Sequence, residues 1–212
     1  VSFSQVEEAC QELLGCKIIS LRPKMLGDIW NDVLSTAELL GVKQKGYEFQ
    51  EEVDARIQAV QDRVGNGEQS KPKVLTIEWI DPIYVGGMWL PEMIQISGGQ
   101  VCIAESGQPA PIVSREDLEK LEPEVVIVKP CGYKLEQTLK EMESLKTQIP
   151  WQDWEARYGT RFYLVDGNSY FNRPGPRIID SLEILAHCTH PNLFPEFGQQ
   201  YKAGMIKLLP GF

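Results

Sequence analysis

The chain has 212 residues, 42% hydrophobic and 24% charged, with 21 Lys and Arg against 30 Asp and Glu for a formal charge of −9. That is enough apolar material for one large domain or one and a half smaller ones, and the acidic balance without a basic patch argues against nucleic acid or an anionic membrane surface as partner. No apolar run approaches the ~20 residues of a membrane span.

Ser4 to Leu14 reads as a short helix, Gly15 as its stop, and Lys17 to Leu21 as an apolar strand. One helix and one strand enclose no core, so residues 1–22 look like the end of a lobe whose earlier part is missing. From Lys24 to Arg63 the pattern is helical, with a break at Gly41 and a further candidate break at Gly46. Leu26, Ile29, Trp30, Val33, Leu34, Ala37 and Leu40 recur at helical spacing, and Phe49, Val53, Ile57, Val60 and Val64 continue it. A long amphipathic spacer results, ended by Gly65-Asn-Gly67 and the polar stretch Glu68 to Lys71, which sets a boundary near residue 71.

Beyond that boundary strands and helices alternate. Strands are expected over Val74–Ile80, Gln100–Ala104, Glu124–Val128 and Arg161–Val165. Helices are expected over Trp89–Ile96, from a Ser114 cap with Asp117 three residues on to a stop before Pro123, and over Leu135–Leu145, Trp151–Tyr158 and Arg177–His187. This order predicts an α/β class chain with a parallel sheet flanked by helices on both faces.

In such a sheet the carboxyl ends of the strands share one edge, where ligands bind. The loops there are chemically unusual: Glu78 to Trp89, Lys129 to Tyr133 and Asp166 to Pro176. The last carries Tyr170, Phe171, Asn172 and Arg173 in succession, which a loop needed only to reverse the chain has little use for. The candidate ligand-binding residues are therefore Trp79, Asp81, Tyr84, Trp89, Tyr133, Asn168, Tyr170, Phe171, Asn172 and Arg173, an aromatic surface with a few polar groups suited to a large flat organic ligand.

Catalytic signals are weak. The chain has no Gly-x-Ser-x-Gly elbow, no phosphate-cradling Gly-x-x-x-x-Gly-Lys and no Gly-x-Gly-x-x-Gly after a strand. His187, Cys188 and His190 would suit a metal, but histidines at a helix end equally serve its last carbonyls. Cys131 is the alternative nucleophile. The five cysteines, Cys10, Cys16, Cys102, Cys131 and Cys188, include no Cys-x-x-Cys pair and read as buried structural thiols, which favours a reducing compartment. Glu116, Asp117, Glu119, Glu122 and Glu124 form an acidic run, with a solvated face and a docking surface for a basic partner as its two readings.

Several motifs, in order, resemble the helical-backbone (class III) substrate-binding proteins of ABC transporters, in particular the cobalamin and iron-chelate branch and its cobalamin-binding protein group. They are Val74-Leu-Thr-Ile-Glu-Trp-Ile-Asp-Pro-Ile-Tyr-Val-Gly-Gly-Met-Trp-Leu-Pro-Glu92, Val113-Ser-Arg-Glu-Asp-Leu118, Lys129-Pro-Cys-Gly132 and Asp166-Gly-Asn-Ser-Tyr-Phe-Asn-Arg-Pro-Gly-Pro-Arg177. The resemblance implies two α/β lobes joined by a rigid spine helix, with the ligand held between them and no chemistry performed on it. Residues 1–22 become the remnant of the first lobe, 23–71 the helical segment and spine, 72–195 a Rossmann-like second lobe and 196–212 a tail outside the family pattern. It implies that Glu116 docks arginines of a permease. Ala110 stands where the better-known cobalamin binder has a ligand-facing tryptophan, Ser169 and Asn172 where it has acidic residues, and Arg173 is kept.

The expected function is thus non-enzymatic binding of a corrinoid or related metal chelate for an ABC importer. The metal travels inside the ligand, so neither a cofactor nor a protein metal site is expected. The rivals are a cytoplasmic ligand sensor or buffer of the same fold, and an enzyme using the strand-end loops. The compartment stays open between exported, if transporter-linked, and cytoplasmic, as the unpaired cysteines favour.

Overall fold

A computed structural model describes residues 2–10, 17–65 and 70–211. The helical spacing before residue 65 becomes α1 (Phe3–Cys10), α2 (Leu26–Leu39) and α3 (Lys43–Val64). Gly41 breaks the pattern as expected, at φ +73°, a conformation that costs other residues a Cβ clash. Gly46 does not break it. It lies inside α3, where an added Cβ would stand 2.9 Å from the Ala37 Cβ, so its smallness lets α2 and α3 approach. Residues 17–24 form no strand, and Ile18, Ile19 and Leu21 are exposed, because strand propensity is not enough without a neighbouring strand to complete the ladder. The Gly15 stop and the Gly67 and Glu68 part of the polar stretch lie outside the described residues.

The sheet comprises β1 (Lys73–Trp79), β2 (Tyr84–Val85), β3 (Gln100–Val101), β4 (Val125–Val128), β5 (Arg161–Val165) and β6 (Met205–Lys207). Its order is β2-β1-β4-β5-β6, with β3 paired to the start of β1. The β1, β3, β4 and β5 pairings are parallel, as the alternating pattern predicts. Both edges are antiparallel instead: β2 folds straight back on β1 and β6 runs against β5. The helices are α4 (Leu90–Ile96), α5 (Arg115–Glu119), α6 (Leu135–Lys140), α7 (Met142–Gln148), α8 (Trp151–Tyr158), α9 (Ile178–Thr189) and α10 (Pro195–Gln200). The single helix expected over Leu135–Leu145 is two, divided at Glu141, and the strand expected to Ala104 stops at Val101.

Alternation along the strands divides the core into two faces. Val74, Val125, Ile127, Tyr163 and Val165 pack with α4, α9 and with Ile29, Trp30 and Val53 of the long helices. Leu75, Ile77, Val126, Val128, Phe162 and Leu164 pack with Met142, Leu145, Trp151 and Trp154, where the Trp151 and Phe162 rings stack at 3.6 Å. Arg56 joins α3 to the lobe, donating to Asp180 at 2.7 Å and Glu183 at 2.8 Å on α9. Tyr201, just past α10, donates its hydroxyl to Glu183. The tail that the motif pattern left without an account thus folds onto the lobe, through Tyr201 and through β6.

Candidate functional site

β1, β4 and β5 run parallel, so their carboxyl ends meet at one edge and the three unusual loops converge there. The Cys131 N–H donates to the Glu78 carbonyl and the Asn168 N–H to the Tyr133 carbonyl, both at 3.0 Å. Gly167 lies so close to the β4 loop that an added Cβ would fall 2.1 Å from the Pro130 carbonyl oxygen. Beneath the loops, Lys129, with none of its surface exposed, donates to Glu78 Oε2 at 2.9 Å and to Asn172 Oδ1 at 2.8 Å. The Asn172 amide donates back to the Lys129 and Gly167 carbonyls at 3.0 Å. One ammonium therefore ties together three chain segments far apart in sequence, with its charge neutralised and the amide saturated. Glu78 and Lys129 were not among the expected site residues. The signal was a charged residue at the end of each of two strands otherwise buried among apolar neighbours.

The loop after β5 presents two faces. Phe171 is fully buried at φ +68°, its N–H donating to Ser181 Oγ at 2.9 Å and its carbonyl accepting from Trp89 Nε1 at 3.0 Å. Trp89, Phe171 and Asn172, expected to meet the ligand, are placed underneath as scaffold. A left-handed conformation at a bulky residue costs free energy, so it persists only where surrounding contacts enforce it. On the other face, Tyr170 is half-buried, packing edge-on against Tyr201 at 6.0 Å and alongside Gly204, and burial pushes its phenol pKa up. Arg173 donates to Asn168 Oδ1 at 2.8 Å. Tyr170, Arg173, Pro174, Pro176 and Arg177 line a recess of about 270 Å³. Among the described residues Arg173 and Arg177, like Arg157 and Arg161 away from this edge, meet no carboxylate, whereas Arg56, Arg63 and Arg115 each do. Arg177 was not expected, although the repeat in Arg173-Pro-Gly-Pro-Arg177 was a signal for it.

A second recess, of about 110 Å³, lies at the β1 and β4 loops, lined by Trp79, Asp81, Pro130, Tyr133, Glu141 and Ser144. The Trp79 and Tyr133 rings meet at 5.4 Å and 68°. Tyr84 sits apart from both recesses, half-buried on β2, where it bridges to Ile112. The expected site residues thus divide among a scaffold, two recesses and an edge strand.

The family profile of periplasmic binding proteins matches residues 10–168. The chain belongs to this family. Among solved structures, this periplasmic binding protein is similar to an ABC transporter substrate-binding protein from Listeria monocytogenes EGD-e (TM-score 0.73, 15% identity, covering 89% of this chain and 73% of that one). It is also similar to a periplasmic heme binding protein from Pseudomonas aeruginosa (0.71, 18%, 91% and 69%) and to IsdE of S. aureus complexed with heme (0.68, 14%, 90% and 76%). Identities this low establish a shared fold. No curated protein matches the sequence.

None of the remaining candidates of this periplasmic binding protein is among the residues lining the two recesses. His187 Nδ1 is 2.9 Å from the Phe194 carbonyl and His190 Nε2 is 3.3 Å from the Gly98 carbonyl, while Cys188 is buried against Met205, so the three do not converge. Cys131 is exposed, against the expectation of a buried thiol, and partial desolvation raises its pKa, the opposite of nucleophile activation. Glu116 is on exposed α5, 3.3 Å from Lys120, with the Ser114 hydroxyl capping the helix through the Asp117 N–H as predicted. No helix among the described residues is long and apolar enough to cross a membrane.

Proposed function

We propose that the chain is the substrate-binding component of an ABC importer and that its ligand is a metal-carrying macrocycle with anionic arms, heme before corrinoid. The observation that carries the reading is the arginine pair, Arg173 and Arg177, without carboxylate partners beside Tyr170 on the ligand-binding edge of the sheet. An arginine fork matches a carboxylate in shape and charge, and heme carries two carboxylates where a corrinoid carries mostly amides. Support also comes from the structural neighbours named for heme. The corrinoid stays as the second reading because of the motif order from Val74 to Arg177. Exposed Glu116 is the residue proposed to meet a basic permease, which would put the mature protein on the exported side of the membrane.

Absorbance titrations with hemin and with cyanocobalamin test this directly. Saturable binding of hemin, weakened at least tenfold by Arg173→Ala with Arg177→Ala, is expected. Saturation by cyanocobalamin alone would select the corrinoid, and no saturation by either would overturn the macrocycle.

A further inference from the structure

We propose that the recess between Trp79 and Tyr133 is a separate binding site for an organic ammonium group about the size of trimethylammonium. The two rings are inclined at 68° with centroids 5.4 Å apart, forming a corner rather than a sandwich. Aromatic faces carry negative charge density, and rings set at an angle are how proteins surround a cation that is too weakly hydrated to demand oxygen ligands. The Trp79 indole N–H is already donated to the Asp81 carbonyl at 3.1 Å, and Pro130 has no N–H. Those two walls therefore offer little to an anion.

Charge points the same way. Asp81 and Glu141 both line the recess, and neither carboxylate meets a cationic side chain among the described residues. Elsewhere Glu78 is compensated by Lys129, Glu119 by Arg115 and Glu143 by Lys146. Two uncompensated carboxylates beside two aromatic rings, in a chain of formal charge −9, make a local potential that favours a cation. A hard metal ion fits poorly, because it needs six or more oxygen ligands and no group of three metal-binding side chains occurs among the described residues. At about 110 Å³ the recess has less than half the volume of the arginine recess, which suits a group of a few heavy atoms such as one nitrogen with three methyl groups.

The site is built from the β1 and β4 loops and the α6–α7 junction, whereas the arginine recess is built from the β5 loop, so the inference stands whether or not hemin binds. Calorimetric titration with choline and with tetramethylammonium chloride, at ionic strength fixed with NaCl, tests it. The neutral control is 3,3-dimethylbutan-1-ol, which keeps the shape and removes the charge. Saturation by both cations at about 1 mM or below, and not by the alcohol, is expected. Asp81→Asn and Glu141→Gln should each weaken it about twofold to fivefold, and Trp79→Leu should abolish it while Trp79→Phe, which keeps a ring and guards against misfolding, retains part. No saturation by choline up to about 50 mM, equal binding of the alcohol, or charge variants that bind as the parent does would each sink the proposal.

Discussion

The two faces of the Asp166 to Arg177 loop obey opposite rules. On the underside every polar group is spoken for: Asn172 makes three hydrogen bonds, Lys129 is neutralised by Glu78, and the Phe171 backbone is bonded at both its N–H and its carbonyl. On the rim, Arg173 has only an amide partner and Arg177 meets no carboxylate. Burial explains the difference, since an unpaired polar group costs far more away from water than at the surface. Residues a few positions apart are thereby sorted into those that hold the loop and those left free to meet something else. Adjacency in sequence is a poor guide to which is which.

Breaking the underside should have the largest effect. Lys129→Met leaves Glu78 and Asn172 without their partner and should lower unfolding free energy by about 3–5 kcal/mol in urea melts. Adding Glu78→Gln to it should recover part of that loss, and additive losses would show that the two side chains do not act as a pair. Gly167→Ala comes next, because its methyl would overlap the Pro130 and Lys129 carbonyls. A loss of about 1–3 kcal/mol is expected there, with a smaller one if the β4 loop can retreat. On the rim, Arg173→Ala with Arg177→Ala should shift stability by no more than about 0.5 kcal/mol while it weakens hemin binding, and a large thermal shift would erase the distinction between the faces.

The smallest effect tests burial away from the site. Desolvation holds the His190 imidazole below its ordinary 6.5, so the unfolded chain takes up its proton first as pH falls. The stability linked to this group is complete above about 6.5 and drains away as pH drops towards the lower folded value. His190→Gln should therefore flatten the difference between urea melts taken either side of that window, and an unchanged difference would remove His190 as its source.

Much of the architecture was legible. Short, nearly continuous apolar runs within Val74–Ile80, Glu124–Val128 and Arg161–Val165 placed the central strands, and Ser114 with Asp117 marked a cap that forms. The misses have physical causes. Lys17–Leu21 has strand composition but no ladder partner, Gly46 relieves a helix contact rather than ending a helix, and β6 is too short and mixed to announce itself. At the site, sequence located the loops but not the direction of their side chains. A run such as Tyr170-Phe-Asn-Arg173 carries no period from which inward and outward could be read, and Phe171 turns inward through a left-handed backbone that its type seldom adopts.

The antiparallel edge formed by β6 bears on how this protein can be handled. Its pairing of Met205, Ile206 and Lys207 with Val165, Leu164 and Tyr163 covers the outer side of a strand whose own residues are almost wholly apolar. A version cut after Pro195, where the motif pattern stops, would bare that row of N–H and C=O groups. Exposed edges of this kind recruit the same strand from other copies. Such a version would be prone to precipitate, and the final residues act as a solubility device as much as a part of the fold.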